Sequence, residues 1–267
     1  MTHFMCRQCG VQFAASDKKP SACPICEDER QYVRWAGQAW TTMAELGRDH
    51  KVVMKDEDGV LAIGVEPSFA IGQRALLIET PGGNVFWDCV PLVTDEAVAA
   101  LKAKGGLKAI AISHPHFHSA IVEWSRVFGS IPIYIHADNR QWVMRPDPAI
   151  VFWEGETKSI LPDVTLIRCG GHFEGSAVCY WARHGKPSRL MVGDTLQVVQ
   201  DRKHVSFMYS YPNIWPLNAH KVKRIAAAVA PYDFDTIHGA FWGYRILADG
   251  KAVVARSVER YLKAIAD

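Results

Sequence analysis

Four short apolar runs in this chain each stop at a histidine or an aspartate. Residues 107–112 run into Ser113-His114-Pro115-His116-Phe117-His118, and residues 164–167 lead to Gly170-Gly171-His172. Residues 189–192 lead to Gly193-Asp194, and Thr236-Ile237 lead to His238-Gly239. Short aliphatic runs bounded by Gly, Pro and Ser read as strands. The recurrence predicts a fold that sets ligand-type side chains at the ends of several strands. Residues 60–65, 75–79 and 85–88 read as further strands, the last two joined by the turn-forming Pro81-Gly82-Gly83-Asn84. Helical patterns lie between the runs. Residues 94–104 begin with Thr94 and an acidic first turn and close on Gly105-Gly106, and residues 120–128, 218–230 and 252–265 follow the same period. Strands and helices mixed in this order predict a layered α/β domain.

The four-cysteine pattern near the start constrains a second, smaller region. Cys6-Arg-Gln-Cys9 and Cys23-Pro-Ile-Cys26 place two sulfurs on each of two tight turns, a spacing that lets four thiolates converge on one metal. So few core residues need a metal to fold around. The knuckles resemble those of zinc ribbons and of rubredoxin-type iron modules, and an all-sulfur ligand set admits either zinc or iron. A closed four-sulfur site has no open position for substrate, so its expected role is structural or, with iron, one-electron transfer. The composition shifts between residues 35 and 55, which predicts residues 1–45 as a four-cysteine metal-binding knuckle and residues 46–267 as a catalytic domain. Cys89, Cys169 and Cys179 sit in apolar stretches and read as core thiols.

Charge and hydropathy narrow the function classes. The 267 residues are 49% hydrophobic and 22% charged with a formal charge of +2, which is ordinary for a folded globular chain. Lys and Arg are scattered, so no basic patch marks a nucleic-acid or anionic-membrane partner. No apolar stretch is long enough to cross a bilayer. Cysteines that follow the initiator methionine so closely lack the basic start and apolar segment of a secretory signal, so export by that route is not expected, and paired CxxC motifs predict a reducing cytoplasm. A small-molecule substrate is the expected partner, with oligomeric state left open.

His114, His116 and His118 alternate beside a strand end, and Pro115 pushes His114 toward extended geometry. Extended backbone would point all three imidazoles to one side, an arrangement suited to a metal. With these residues in view, the order of landmarks from about residue 50 to residue 267 resembles the metallo-β-lactamase superfamily. Its signature reads His-x-His-x-Asp-His, then a distant His, an Asp and a final His. His114 and His116 match the first two positions, His172 in Gly-Gly-His-Phe-Glu-Gly-Ser the third, Asp194 in Gly-Asp-Thr the bridging carboxylate, and His238 the last. His118 stands where the signature has Asp, and Ser119 where it has His.

The resemblance implies an αββα sandwich carrying a small N-terminal four-cysteine knuckle, and a metal-dependent hydrolase acting on a small ester, thioester or lactone. Zinc on three histidines with an open position lowers the pKa of bound water from about 15.7 to about 7, giving a hydroxide nucleophile. Asp194 would bridge or orient that water, and His118 would serve as a second-site ligand or proton shuttle. One tightly held ion and a weaker second are expected in the catalytic site, with one more in the knuckle; zinc is the expected metal, and iron is admissible in either. Asp88 is expected beside a ligating histidine, and Tyr209, Tyr211, Trp215, Phe241, Trp242 and Tyr244 along a partly apolar pocket. His136 reads as structural. The competing readings are a non-catalytic metal-stabilised binding protein with a decayed second site, an iron-dependent redox enzyme, and, lowest, a nuclease.

Overall fold

A computed structural model describes residues 1–266. The chain divides into two compact units, one of residues 1–135 with 140–152, the other of residues 136–139 together with the chain from Trp153 onward. Among the described residues no helix is long and apolar enough to cross a membrane.

The first unit begins with the cysteine knuckle. Strand Met5–Cys6 pairs antiparallel with Trp40–Thr41, and Cys23 caps the short helix Pro24–Glu27, whose proline sits at a first-turn position where no N–H is needed. Helix Met43–Asp49 follows. The Thr42 hydroxyl accepts from Glu45 N–H while the Glu45 carboxylate accepts from Thr42 N–H, a reciprocal cap that ends the knuckle segment.

Seven strands then lie in one sheet in chain order: Lys51–Asp56, Leu61–Glu66, Ala75–Thr80, Gly83–Trp87, Ala109–Ala111, Ile133–His136 and Ile150–Trp153. The first four pair antiparallel, while Gly83–Trp87, Ala109–Ala111 and Ile133–His136 run parallel. Parallel neighbours need a crossover, and helices Asp95–Ala103 and Ile121–Val127 supply one each. Thr80 pairs with Gly83, so the expected four-residue turn is a two-residue turn at Pro81-Gly82. Asn84 is already in the strand, where its side-chain amide donates to the Lys104 and Gly106 carbonyls at 2.8 and 2.9 Å and closes the helix end. Because Gly83–Trp87 and Ala109–Ala111 are parallel, the residues that follow them, Asp88 and Ser113-His114, leave the sheet at the same edge.

The second unit is a six-stranded sheet in the order Thr157–Leu161, Val164–Arg168, Ala177–Trp181, Arg189–Gly193, Thr236–Gly239 and Arg245–Ile246. Only Arg189–Gly193 and Thr236–Gly239 are parallel, and helix Ala219–Val229 lies in the crossover between them. Two antiparallel pairings turn Val164–Arg168 into the same direction as Arg189–Gly193. His172, Asp194 and the end of the His238 strand therefore sit toward one edge of this sheet. Helices Ala219–Val229 and Gly250–Ala264 cover a face of it through Val222, Ile225, Val229, Val253 and Val254 against Ile167, Leu190, Val192 and Ile237.

In the first unit the core gathers Ile63, Leu77, Phe86, Ile110, Ile133 and Trp124. Trp124 is fully buried, lies 5.1 Å from Phe86 between ring centroids, and donates its indole N–H to the Val90 carbonyl. Trp124→Ala is expected to cost about 3–5 kcal/mol, because it opens a cavity and strands that carbonyl. Urea unfolding of the variant and wild type reads the difference.

Candidate metal centres

The four knuckle cysteines are buried and unbridged, and their sulfurs all lie within 4.8 Å of one another. Cys6 Sγ is 3.5 Å from Cys26 Sγ, and Cys9 Sγ is 3.7 Å from Cys23 Sγ. Local backbone makes this possible. Gly10, at φ 79°, returns its N–H to the Cys6 carbonyl at 2.9 Å, and Cys26 N–H reaches the Cys23 carbonyl at 2.9 Å. Gln8 N–H and the Gln38 amide point at Cys6 Sγ, 3.4 and 3.2 Å away. Hydrogen bonds from the neighbouring thiols hold Cys6 far below the ordinary thiol range, while burial pushes Cys9 well above it. A bound metal is what lets such a set of thiols ionise together.

The knuckle packs directly on the histidine loop of its own unit. Gln12 N–H donates to the Ser119 carbonyl at 3.3 Å, and Ala14 N–H donates to the Met144 carbonyl at 3.0 Å. Trp142 and Met144 pack against the cysteine cluster.

His114 is extended, as the following proline requires, with φ −166° and ψ 170°. Pro115 then starts a 3₁₀ turn, Pro115–Phe117, instead of continuing the extended run. The Asp88 carboxylate accepts the Ser113 N–H at 2.8 Å, which pins the root of the loop, and Ser113 Oγ meets His114 Nδ1 at 2.9 Å. Asp88 thus acts on the backbone beside His114. Burial, helped by the nearby Arg30 guanidinium, pushes the His114 imidazole down to about 3, so it is neutral at pH 7. His118 is turned into αR geometry, and its Nδ1 faces the Trp142 carbonyl at 3.1 Å. Facing a carbonyl, Nδ1 carries the hydrogen and Nε2 keeps the lone pair. Burial lowers His118 to about 4.

In the second unit Gly170 and Gly171 both take positive φ, 68° and 86°. A Cβ on Gly171 would meet Ile225 Cδ1 at 2.7 Å, so only glycine lets the chain pass this close to the helix before His172. His172 Nδ1 donates to the Tyr209 carbonyl at 2.8 Å, which leaves Nε2 as the ligand nitrogen. Asp194 follows its strand, and burial raises its carboxyl to about 6. The Tyr211 hydroxyl donates to the Asp194 carbonyl at 2.8 Å, and its ring lies 5.7 Å from that of His172. His238 is fully buried, and its Nε2 lies 3.4 Å from Arg189 Nη1. His136 contacts the Gly155 carbonyl through Nε2 and accepts Asp138 N–H at Nδ1, a structural role.

His114, His116, His172 and Asp194, all buried, each offer one ligand atom within 4.8 Å of the other three. His118 and His238 are outside this group. His118 keeps Nδ1 at the Trp142 carbonyl with its Nε2 buried, and His238 Nε2 lies 3.4 Å from Arg189 Nη1. Of the three alternating imidazoles, His114 and His116 belong to this group. Tyr209 and Trp215 line a groove of about 190 Å³ with Pro216, Leu217, Asn218 and Lys221. Sequence reading missed Ser113, Trp142 and Arg189, none of which carries a spacing or motif that marks it.

Over 270 residues the chain is 45% identical to the Bacillus subtilis (strain 168) protein YmaE, itself uncharacterized, with 99% of this chain and 97% of that one covered. The chain belongs to the YmaE family. No protein-family model matches it. Among solved structures it is similar to VMB-1, with TM-score 0.60 and 15% identity over 80% of this chain and 98% of that one. It is also similar to the metallo-β-lactamase FIM-1 from Pseudomonas aeruginosa in its mono-zinc form, with TM-score 0.56 and 17% identity over 78% and 95%. A B3 metallo-β-lactamase with an active-site glutamic acid aligns with TM-score 0.52 and 16% identity over 81% and 89%. These likenesses show the fold: the YmaE-family chain has the αββα metallo-β-lactamase fold, preceded by a four-cysteine cluster.

Asp88→Ala is expected to weaken metal binding at the histidine group by about 10–100-fold, since it frees the backbone that carries His114. Competition against a chromogenic chelator measures it. Cys23→Ser is expected to lower metal content by one ion per chain while the histidine group keeps its own, read by elemental analysis.

Proposed function

We propose that this chain is a metal-dependent hydrolase that uses one zinc ion, held by His114, His116 and His172 with Asp194 beside it, on a small ester, thioester or lactone. The observation that carries the reading is the convergence of three imidazoles and one carboxylate within 4.8 Å in a buried setting. The donor chemistry fits. Neutral imidazole and carboxylate suit zinc, and the far ring nitrogen of His172 is already committed to a carbonyl, which fixes its tautomer for ligation. Such an ion supplies Lewis acidity, polarising a carbonyl oxygen and acidifying water toward neutral pH.

The chain's own groups do the rest. Buried Asp194 sits where it can orient a water and hold a proton, and the Tyr211 hydroxyl fixes its backbone. His118 Nε2 is a buried acceptor with no hydrogen-bond partner among the described residues, on a neutral ring, and takes the role of proton shuttle. Loss of the signature carboxylate to His118 and of the next histidine to Ser119, with His238 against the Arg189 cation, disfavours a second divalent ion. The knuckle holds a structural zinc that braces the loop of His116 to Ser119. Seven cysteines without a disulfide among the described residues fit a cytoplasmic setting.

The test is His116→Ala beside wild type, both analysed for zinc and for turnover of an aryl acetate, an acyl thioester and a lactone. The expected result is two ions per chain in wild type and one in the variant, with turnover falling by at least about 100-fold. A zinc-replete wild type that turns over none of the three classes would sink the hydrolase reading and favour a metal-stabilised binding protein.

A further inference from the structure

Between Asp194 and helix Ala219–Val229 the chain makes a small hairpin that both holds the histidine group and carries uncovered apolar side chains. Strand Met208–Ser210 pairs antiparallel with Trp215–Pro216. The Tyr209 carbonyl takes His172 Nδ1, and the Tyr211 hydroxyl donates to the Asp194 carbonyl. At the tip Ile214 is 80% exposed and Trp215 48% exposed, beside exposed Pro212 and Pro216. Ile214 also takes φ 54°, a left-handed conformation that a β-branched residue rarely adopts, and its N–H closes the turn on the Tyr211 carbonyl at 3.2 Å. A strained, uncovered apolar tip beside a group of metal ligands is a mark of use, since folding gains nothing from it.

The hairpin walls a groove of about 190 Å³. Three contacts fix this groove against the loop that carries His172. Leu217 Cδ1 lies 3.1 Å from where a Cβ on Gly171 would stand, the Tyr209 carbonyl holds His172 itself, and Lys221 Nζ pairs with Glu174 at 3.0 Å. The polar side chains along the groove are already engaged. Asn218 Oδ1 caps the helix by accepting Lys221 N–H at 2.9 Å, and Lys221 Nζ, besides meeting Glu174, lies 5.5 Å from the Tyr209 ring centroid. What remains for a ligand is apolar: the Tyr209 and Trp215 rings, edge to face at 4.9 Å, with Pro216 and Leu217. An apolar cavity of about 150 Å³ takes benzene, so a single ring or a short alkyl chain fits here, and a partner helix about 10 Å across does not.

We propose that this groove binds an apolar aryl or short alkyl group of the substrate and makes the site selective for esters, thioesters or lactones that carry one. This rests on the hydrolase reading above and names its substrate class. Trp215 is a binding residue and takes no part in bond cleavage.

The test uses zinc-loaded full-length protein, titrated by calorimetry with acetohydroxamate, phenylacetohydroxamate and phenylbutyrohydroxamate, with zinc content checked before and after. All three carry the same zinc-binding group, and two add a ring at different reach. Wild type is expected to bind the better phenyl probe about tenfold or more tighter than acetohydroxamate, the effect of burying one ring. Trp215→Ala is expected to cut that ratio to about threefold or less, and Trp215→Phe, which keeps a ring in place, to retain most of it. Equal binding of the probes by wild type, or a ratio unchanged in Trp215→Ala, overturns the proposal and leaves the metal site standing. So does light scattering that finds a wild-type dimer and a monomeric Trp215→Ala, because a second copy then covers this face. If wild type with a full zinc complement binds no hydroxamate, the hydrolase site itself fails, and the proposal fails with it.

Discussion

A buried imidazole anchored through one ring nitrogen has only the other to offer, and in this chain that choice separates the histidines. His172 gives Nδ1 to the Tyr209 carbonyl and His118 gives Nδ1 to the Trp142 carbonyl, so each ring has a fixed tautomer and a fixed direction. Burial then keeps His114 and His118 neutral, which is the form that ligates. The surrounding structure serves these anchors. Asp88 holds the root of the His114 loop, Gly171 lets the chain pass close to Ile225, and the hairpin that carries Tyr209 and Tyr211 supplies contacts to His172 and Asp194.

Much of this was legible in the sequence because punctuation residues mark it. Pro115, Gly170-Gly171 and Gly193 each stand where a strand stops, and a histidine or aspartate follows within a few positions. The helix over Asp95–Ala103 was equally clear from Thr94 and Gly105-Gly106. Strand Lys51–Asp56 was not, because it pairs on one side only and its charged, largely exposed pattern masks the alternation. The cysteine cluster was the plainest signal, since CxxC spacing is a local property.

The departures have a common physical source. Alternation of His114, His116 and His118 suggested an extended run, yet a proline is also favoured at the first position of a helical turn, and the 3₁₀ turn Pro115–Phe117 takes its place. His238 lies beside Arg189 because Met191 is its cross-strand neighbour and Arg189 lies two residues earlier on the same face. Contacts between residues 49 positions apart leave no trace in local pattern.

The central claim is that His114, His116 and His172, with Asp194 beside them, hold one ion while the four cysteines hold another. Anomalous diffraction at the zinc edge, from crystals of the zinc-loaded protein, tests it most directly. The account predicts two peaks per chain, one within the sulfur tetrad and one among those three histidines and Asp194, with none between His118 and His238. A peak at the cysteines alone, or an ion liganded by His118 or His238, would contradict it.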